Sequence, residues 1–356
     1  MRVVYLCWTN GLSLHNVGRA LVAPMAARGI AVDVVDSRAW FAAPSPADVV
    51  FLAHTDFLWP DFDYRRWAGA LVTVVHDPDE VSRFGDRLTW AREPLRHRPE
   101  FAAFDRVLTC SAEMHAVLRG RYGLDAYLAA TFPHNAAPVR AAACRREGGG
   151  GTMDARVRVI STAYGPAPAS LADVARRLAR PGAWLRDEHG RFAPRLLRAA
   201  VLRAHRKNPA WLARLERALA GDARVAVDLR HGPHAASLTE ADYLARLAGA
   251  DVYVCTSMME GGPLPVMEAV LAGLAVVTTP VGQTSGWVED GASGVVVRSY
   301  AELERAVRRY LDHPGLLAAH RARARAIGAA RAFDADGWEA FLRGTARREP
   351  PGPSAS

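Results

Sequence analysis

Residues 250–294 read ADVYVCTSMMEGGPLPVMEAVLAGLAVVTTPVGQTSGWVEDGASG, and their order of apolar and breaker residues decides the architecture. Val252 to Thr256 is a short apolar run that suits a buried strand, Leu264 to Ala272 carries a helical pattern, and Ala275 to Thr279 is a second buried strand. Strands that alternate with helices in this way join in parallel, the helix being the crossover. The helix is entered through Glu260-Gly-Gly-Pro-Leu-Pro, with Pro263 at a first-turn position where its missing N–H is not needed. Backbone N–H groups at such a start, approached closely past Gly261 and Gly262, form a ready anion site that suits a diphosphate.

The same rhythm extends in both directions. Upstream, strands are expected at Val3 to Leu6, Ala31 to Val35, Val49 to Leu52, Val72 to Val75, Arg106 to Thr109 and Ala126 to Ala129. Helices fit at His15 to Arg28 and at Ala112 to Arg121, the latter after Ser111 as N-cap. A second series begins with a strand at Val157 to Ser161 and resumes with a helix from Pro209 to Leu219, a strand at Val225 to Leu229 and a helix at Thr239 to Ala248. After the quoted stretch come a short strand at Val295 to Val297 and two or three helices. The class is therefore α/β with a mostly parallel sheet.

The chain has 356 residues, half of them hydrophobic, which exceeds the size at which single cores stop growing and predicts two domains. Between the two strand series, Ala136 to Asp154 is small, basic and glycine-rich, with Gly148 to Gly151 consecutive, and reads as a linker. Val266 to Ala272 and Leu274 to Val277 are broken by Glu268 and Gly273 and fall far short of the roughly 20 residues of a membrane span. Arg2 precedes an apolar run too short for a secretory signal, so a cytoplasmic location is expected. Cys7, Cys110, Cys144 and Cys255 are scattered, which suits reduced thiols and no metal site. The net charge of +8 is dispersed without a recognition module, which argues against nucleic acid and for phosphates or anionic lipid head groups, so peripheral membrane contact stays open. Of 45 Lys and Arg residues only Lys207 is a lysine.

Glu268 falls four residues after Leu264 and three before Leu271, which puts a carboxylate on the face that packs toward the sheet. Such an acid needs a partner. Either it accepts paired hydrogen bonds from the two hydroxyls of a ribose, or it is a structural acid satisfied by an arginine or a neighbouring backbone.

The quoted stretch resembles the C-terminal signature of the family 4 retaining glycosyltransferases. The resemblance runs through Glu260, seven residues, Glu268, Ala269, Gly273, the strand Ala275 to Thr279, Gly282, Glu289-Asp290-Gly291 and Gly294-Val295-Val296-Val297. It implies the GT-B architecture, two Rossmann-like domains facing each other across a cleft. On that pattern residues 1–140 bind the acceptor, 141–155 form the linker, 156–330 bind a nucleotide sugar and 331–347 return to the first domain, while the Pro-, Gly- and Ser-rich composition of 348–356 reads as a disordered tail. It implies further that Glu260 lies beside the donor sugar, that Gly261, Gly262, Pro263 and Leu264 meet sugar and diphosphate, and that Glu268 holds the ribose. Many members have Gly-Phe-Gly after the first acid; Pro263 here has no N–H to give. The family's basic pair for the diphosphate matches Lys207 with Arg203 or Arg206, the alternative being a solvated basic helix end. Residues 164–205 look like an insertion.

In the first half, His76 follows the strand Val72 to Val75, the edge where open α/β sheets place ligands. Members of the family commonly have a histidine there that approaches the donor sugar, and Gly11 matches their loop after the first strand. The resemblance thus casts His76, Glu260 and Lys207 as catalytic. Asp56, Trp59, Asp61 and Asp77 gather at the same edge and read as an acceptor pocket for an amino sugar or aminocyclitol, or else as a solvated loop with its aromatics folded inward. The activity implied is transfer of a hexose-type sugar from a UDP- or GDP-sugar, with no metal and no other cofactor. Antibiotic tailoring and envelope or lipid-linked glycan assembly are both open. Rival readings on the same fold are a sugar-nucleotide epimerase or phosphorylase and a silent sugar-nucleotide-binding module.

Overall fold

The computed structural model describes residues 1–7, 12–54, 62–76, 101, 103–129, 139–144, 156–161, 207–229, 239–258, 262–331 and 333–346. The chain divides into two compact units: residues 1–135 and 331–356 with the short piece 261–264, and residues 136–260 with 265–330. Residues 139–144 are helical and cluster with the second unit, where the Arg140 guanidinium donates to the Gly328 carbonyl. The glycine-rich stretch 145–155 and the stretch 162–206 lie outside the described residues.

The first unit is built on β1 (Arg2–Cys7), β2 (Ala31–Asp36), β3 (Ala47–Leu52), β4 (Ala68–Val75), β5 (Arg106–Thr109) and β6 (Tyr127–Leu128), in the order β2-β1-β3-β4-β5-β6. Every pairing is parallel, as the alternation of strands and helices predicts. The central strands are apolar on both sides because both faces of a parallel sheet are covered: Val3 to Cys7 and Val49 to Leu52 are all buried. Helix α1 (Leu12–Ala26) follows β1. Helix α2 (Ser37–Ala42), not expected from the pattern, is capped by Asp36, whose side chain accepts from the N–H groups of Arg38 and Ala39. Helix α3 (Ala112–Tyr122) starts at Ser111, whose hydroxyl accepts from Met114 N at 2.9 Å, and ends at Gly123 with φ 61°.

The second unit holds β7 (Val157–Ser161), β8 (Val225–Leu229), β9 (Val252–Cys255), β10 (Ala275–Thr278) and β11 (Gly294–Val296), again all parallel, in the order β11-β10-β9-β7-β8. Its helices are α4 (Pro209–Leu219), α5 (Glu240–Gly249), α6 (Leu264–Leu271), the short α7 (Thr284–Trp287), α8 (Tyr300–Asp312) and α9 (Pro314–Ala330). Leu212, Leu215 and Leu219 of α4 and Leu303, Val307, Tyr310 and Leu311 of α8 join the strand residues in one core. The last helix, α10 (Ala335–Ala346), belongs to the first unit: Trp338, Phe341 and Leu342 are buried in its core, with Trp338 6.1 Å from Phe51 and Phe341 4.8 Å from Tyr127, ring to ring.

Two glycines set close approaches. Gly273 ends α6 at φ 73°, a conformation other residues rarely adopt, and turns the chain into β10. At Gly294 a Cβ would lie 2.2 Å from the Val276 carbonyl oxygen and 2.9 Å from Val288 Cγ1. The backbone of β10 cannot give way within a paired sheet. Gly294→Ala is therefore expected to destabilise the second unit by about 3 kcal/mol, read from urea unfolding; an unchanged midpoint would show that β11 moves aside freely.

Candidate functional site

In each sheet the strand order reverses beside the first strand. The chain goes from β1 to β2 on one side and then to β3 on the other; likewise from β7 to β8 and then across to β9. Adjacent helices leave to opposite sides at such a point, and the crevice outside the carboxyl ends of the strands is where parallel α/β sheets bind ligands. The reversals therefore single out two places, the carboxyl ends of β1 and β3 in the first unit and of β7 and β9 in the second.

In the second unit, β9 runs out through Thr256, Ser257 and Met258, and α6 begins at Leu264. The Thr256 hydroxyl donates to the carbonyl of Lys207 at 2.9 Å and lies 3.2 Å from that of Asn208, which ties the start of α4 to the end of β9. Asn208 sits at φ 45°, and Pro209 follows as the first helical residue. Lys207 is thereby held at the carboxyl edge of the sheet, beside the reversal. Thr279 reinforces the same edge: its N–H donates to Cys255 O at 3.1 Å and its hydroxyl to Ser257 O.

Pro263 is buried and Pro265 is the second residue of α6, so two of the N–H groups near this helix start are absent. Glu268 is buried, with 7% of its surface exposed, as its helical spacing predicts. Its Oε2 accepts a hydrogen bond from the Tyr243 hydroxyl on α5. That partner was not foreseen: the sequence offered an arginine, a backbone group or a ribose.

In the first unit, His76 follows β4, and its Nε2 lies 2.7 Å from the Ala53 carbonyl oxygen. A carbonyl only accepts, so Nε2 carries the hydrogen and, in the neutral ring, Nδ1 is the acceptor. The His54 ring stacks on it at 5.9 Å with 19° between planes. His54 follows β3, so the pair sits beside the reversal. Sequence reasoning passed over His54 because it lies two residues past the strand with no periodic signal. Cys7 ends β1 at the same edge, and burial together with the charge of Asp36 pushes its thiol up to about 11, which makes it a poor nucleophile.

Gly11, Asp56, Trp59, Asp61, Asp77, Arg203, Arg206, Glu260 and Gly261 lie outside the described residues. Among the described residues no group of three or more His, Cys, Asp and Glu is placed to hold a metal ion, and no helix is long and apolar enough to cross a membrane. The Glu289-Asp290-Gly291 turn is structural. The Arg323 guanidinium grips Glu289 at 2.6 and 2.7 Å and holds its carboxyl below the usual carboxylate range, and Asp290 accepts from Val296 N at 2.9 Å.

Residues 237–331, from just before α5 to the end of α9, match the family model described as glycosyl transferases group 1. The fold resembles that of WaaG, a glycosyltransferase involved in lipopolysaccharide biosynthesis, at TM-score 0.54 and 15% identity over 96% of this chain and 100% of that one. It resembles Anabaena HepE in complex with UDP and glucose at TM-score 0.55 and 15% identity, covering 97% and 99%. A point mutant of S. aureus TarM, solved with UDP, Fondaparinux and alpha-GlcNAc-glycerol, aligns at TM-score 0.54 and 11% identity over 87% of this chain, which spans 58% of the TarM chain. Comparison with curated protein sequences finds no match.

Proposed function

We propose that the chain is a retaining glycosyltransferase of family 4 that transfers a hexose-type sugar from a nucleoside-diphosphate sugar. The observation that carries this reading is that the stretch matching the glycosyl transferases group 1 model contains a buried carboxylate, Glu268, on the helix that opens beside the β7/β9 reversal. In this reading Glu268 accepts from the ribose hydroxyls and the chain at Glu260 to Leu264 meets the sugar and diphosphate. Lys207, with Arg203 or Arg206, offsets the charge that develops on the departing nucleoside diphosphate. His76 approaches the donor sugar. The anomeric centre passes through an oxocarbenium-like state and keeps its configuration.

The acceptor is an amino sugar or aminocyclitol, the reading favoured by Asp56, Asp61 and Asp77 in an otherwise basic chain. Free cysteines suit a reducing compartment, and we place the enzyme in the cytoplasm.

UDP is the first donor nucleotide to try, since the HepE structure holds it. Thermal and calorimetric titration with UDP, GDP and their sugars tests the proposal. A true donor at 100 times its dissociation constant should stabilise the folded chain by about 2.7 kcal/mol. Absence of stabilisation by every nucleotide, in protein shown to be folded, would sink it.

A further inference from the structure

We propose that Tyr243 is a positioning residue for Glu268: its hydroxyl fixes one carboxylate oxygen so that the group meets the ribose of the nucleotide in a single orientation. The proposal rests on the ribose reading of Glu268 given above. The Tyr243 hydroxyl donates to Glu268 Oε2, and both residues belong to the second unit. The terminal torsion of a glutamate is broad, so burial alone does not set the plane of its carboxylate. Vicinal hydroxyls, however, need that plane in a definite position to donate as a pair. A hydrogen bond to an ionised carboxylate is roughly twice as strong as a neutral one and is sufficient to choose the plane.

Tyr243 is itself anchored. Thr239 caps α5, its hydroxyl accepting from Asp242 N at 3.1 Å while the Asp242 carboxylate accepts from Thr239 N at 3.3 Å. Tyr243 N donates to Thr239 O at 3.0 Å, in the first turn where fraying is suppressed by this box. One turn further on, Arg246 pairs with Asp228 and donates to the Asp228 carbonyl at 3.2 Å, which ties α5 to β8. Leu247, four residues after Tyr243 and 1% exposed, lies on the same face. Packing of that face needs only an apolar side chain; the hydroxyl adds a function the packing does not require.

The test compares binding of UDP and GDP with that of their 2′-deoxy forms, by calorimetry, in the wild type, Tyr243→Phe and Glu268→Ala. Phenylalanine removes one oxygen and keeps the ring. The wild type is expected to prefer the ribonucleotide by ~10-fold or more, Glu268→Ala to lose that preference, and Tyr243→Phe to lose most of it while binding the 2′-deoxy form within about twofold of wild type. Full preference retained in Tyr243→Phe but lost in Glu268→Ala would overturn the positioning role and leave the ribose reading standing. Equal weakening of both nucleotides in Tyr243→Phe would also overturn it, as the mark of a merely structural tyrosine. No preference in the wild type, or an intact one in Glu268→Ala, would overturn the ribose reading and the positioning role with it.

Discussion

Lys207→Ala is expected to slow turnover of the nucleotide sugar by about 100-fold, corresponding to about 3 kcal/mol of lost transition-state stabilisation. Lys207 holds the start of α4 against the end of β9 through its carbonyl and that of Asn208, which accept from the Thr256 hydroxyl. Those contacts are made by backbone, so alanine leaves them in place, and a melting curve checks that the fold of the variant is kept. The loss should therefore appear in chemistry. Release of free sugar from the donor in the absence of acceptor provides an assay that needs no knowledge of the acceptor. Binding should report the same group: the affinity ratio of UDP to uridine should shrink in Lys207→Ala and recover in part in Lys207→Arg, which keeps the charge but changes the donor geometry. An unchanged ratio with unchanged turnover would remove Lys207 from the site.

The second large effect is expected at a residue without a catalytic part. Asp251 leads into β9 and is 7% exposed; it accepts from Arg321 at 2.8 Å with one oxygen and from the Arg158 N–H at 2.9 Å with the other. Arg321 also donates to Gly273 O at 3.2 Å, so one ion pair joins the starts of β7, β9 and β10 to α9. Asp251→Ala takes one acceptor from the half-buried Arg321 guanidinium and the acceptor of the Arg158 N–H, and should cost about 3 kcal/mol. Replacing both partners, Asp251→Leu with Arg321→Met, should cost less than the single change, because no uncompensated charge remains. Urea unfolding measures both. A double variant as unstable as the sum of the two singles would mean that the side chains act independently.

The strands were the most legible part of the chain. Parallel strands covered on both faces are continuous apolar runs, so Val3 to Leu6 and Val157 to Ser161 announce themselves within a residue or so of their true ends. The cap at Ser111 was legible because a serine directly precedes a helical pattern, whereas Thr239, read as the first residue of its helix, is the residue that caps it. Short helices were not: α2 has six residues and α7 four, less than the two turns that periodicity needs. Of the candidate site, the burial of Glu268 follows from its spacing, since a residue three and four positions from leucines shares their face. Its bond to Tyr243 does not, because the two are 25 residues apart and meet only once α5 and α6 have packed. The His54 and His76 pair is of the same kind, being made by the register of β3 against β4. Partners of this sort are tertiary facts, and a pattern along one element carries no trace of them.

The first unit takes its last core residues from the far end of the chain, since Trp338, Phe341 and Leu342 of α10 lie in the core formed around β1, β3 and β4. On the ribosome, its sheet residues therefore emerge first but wait for the whole of the second unit before the core can close, whereas the second unit is complete at Ala330. The later-synthesised unit can thus finish folding earlier, and a chain stopped before α10 would carry one intact unit and one with an apolar surface left open to chaperones and proteases.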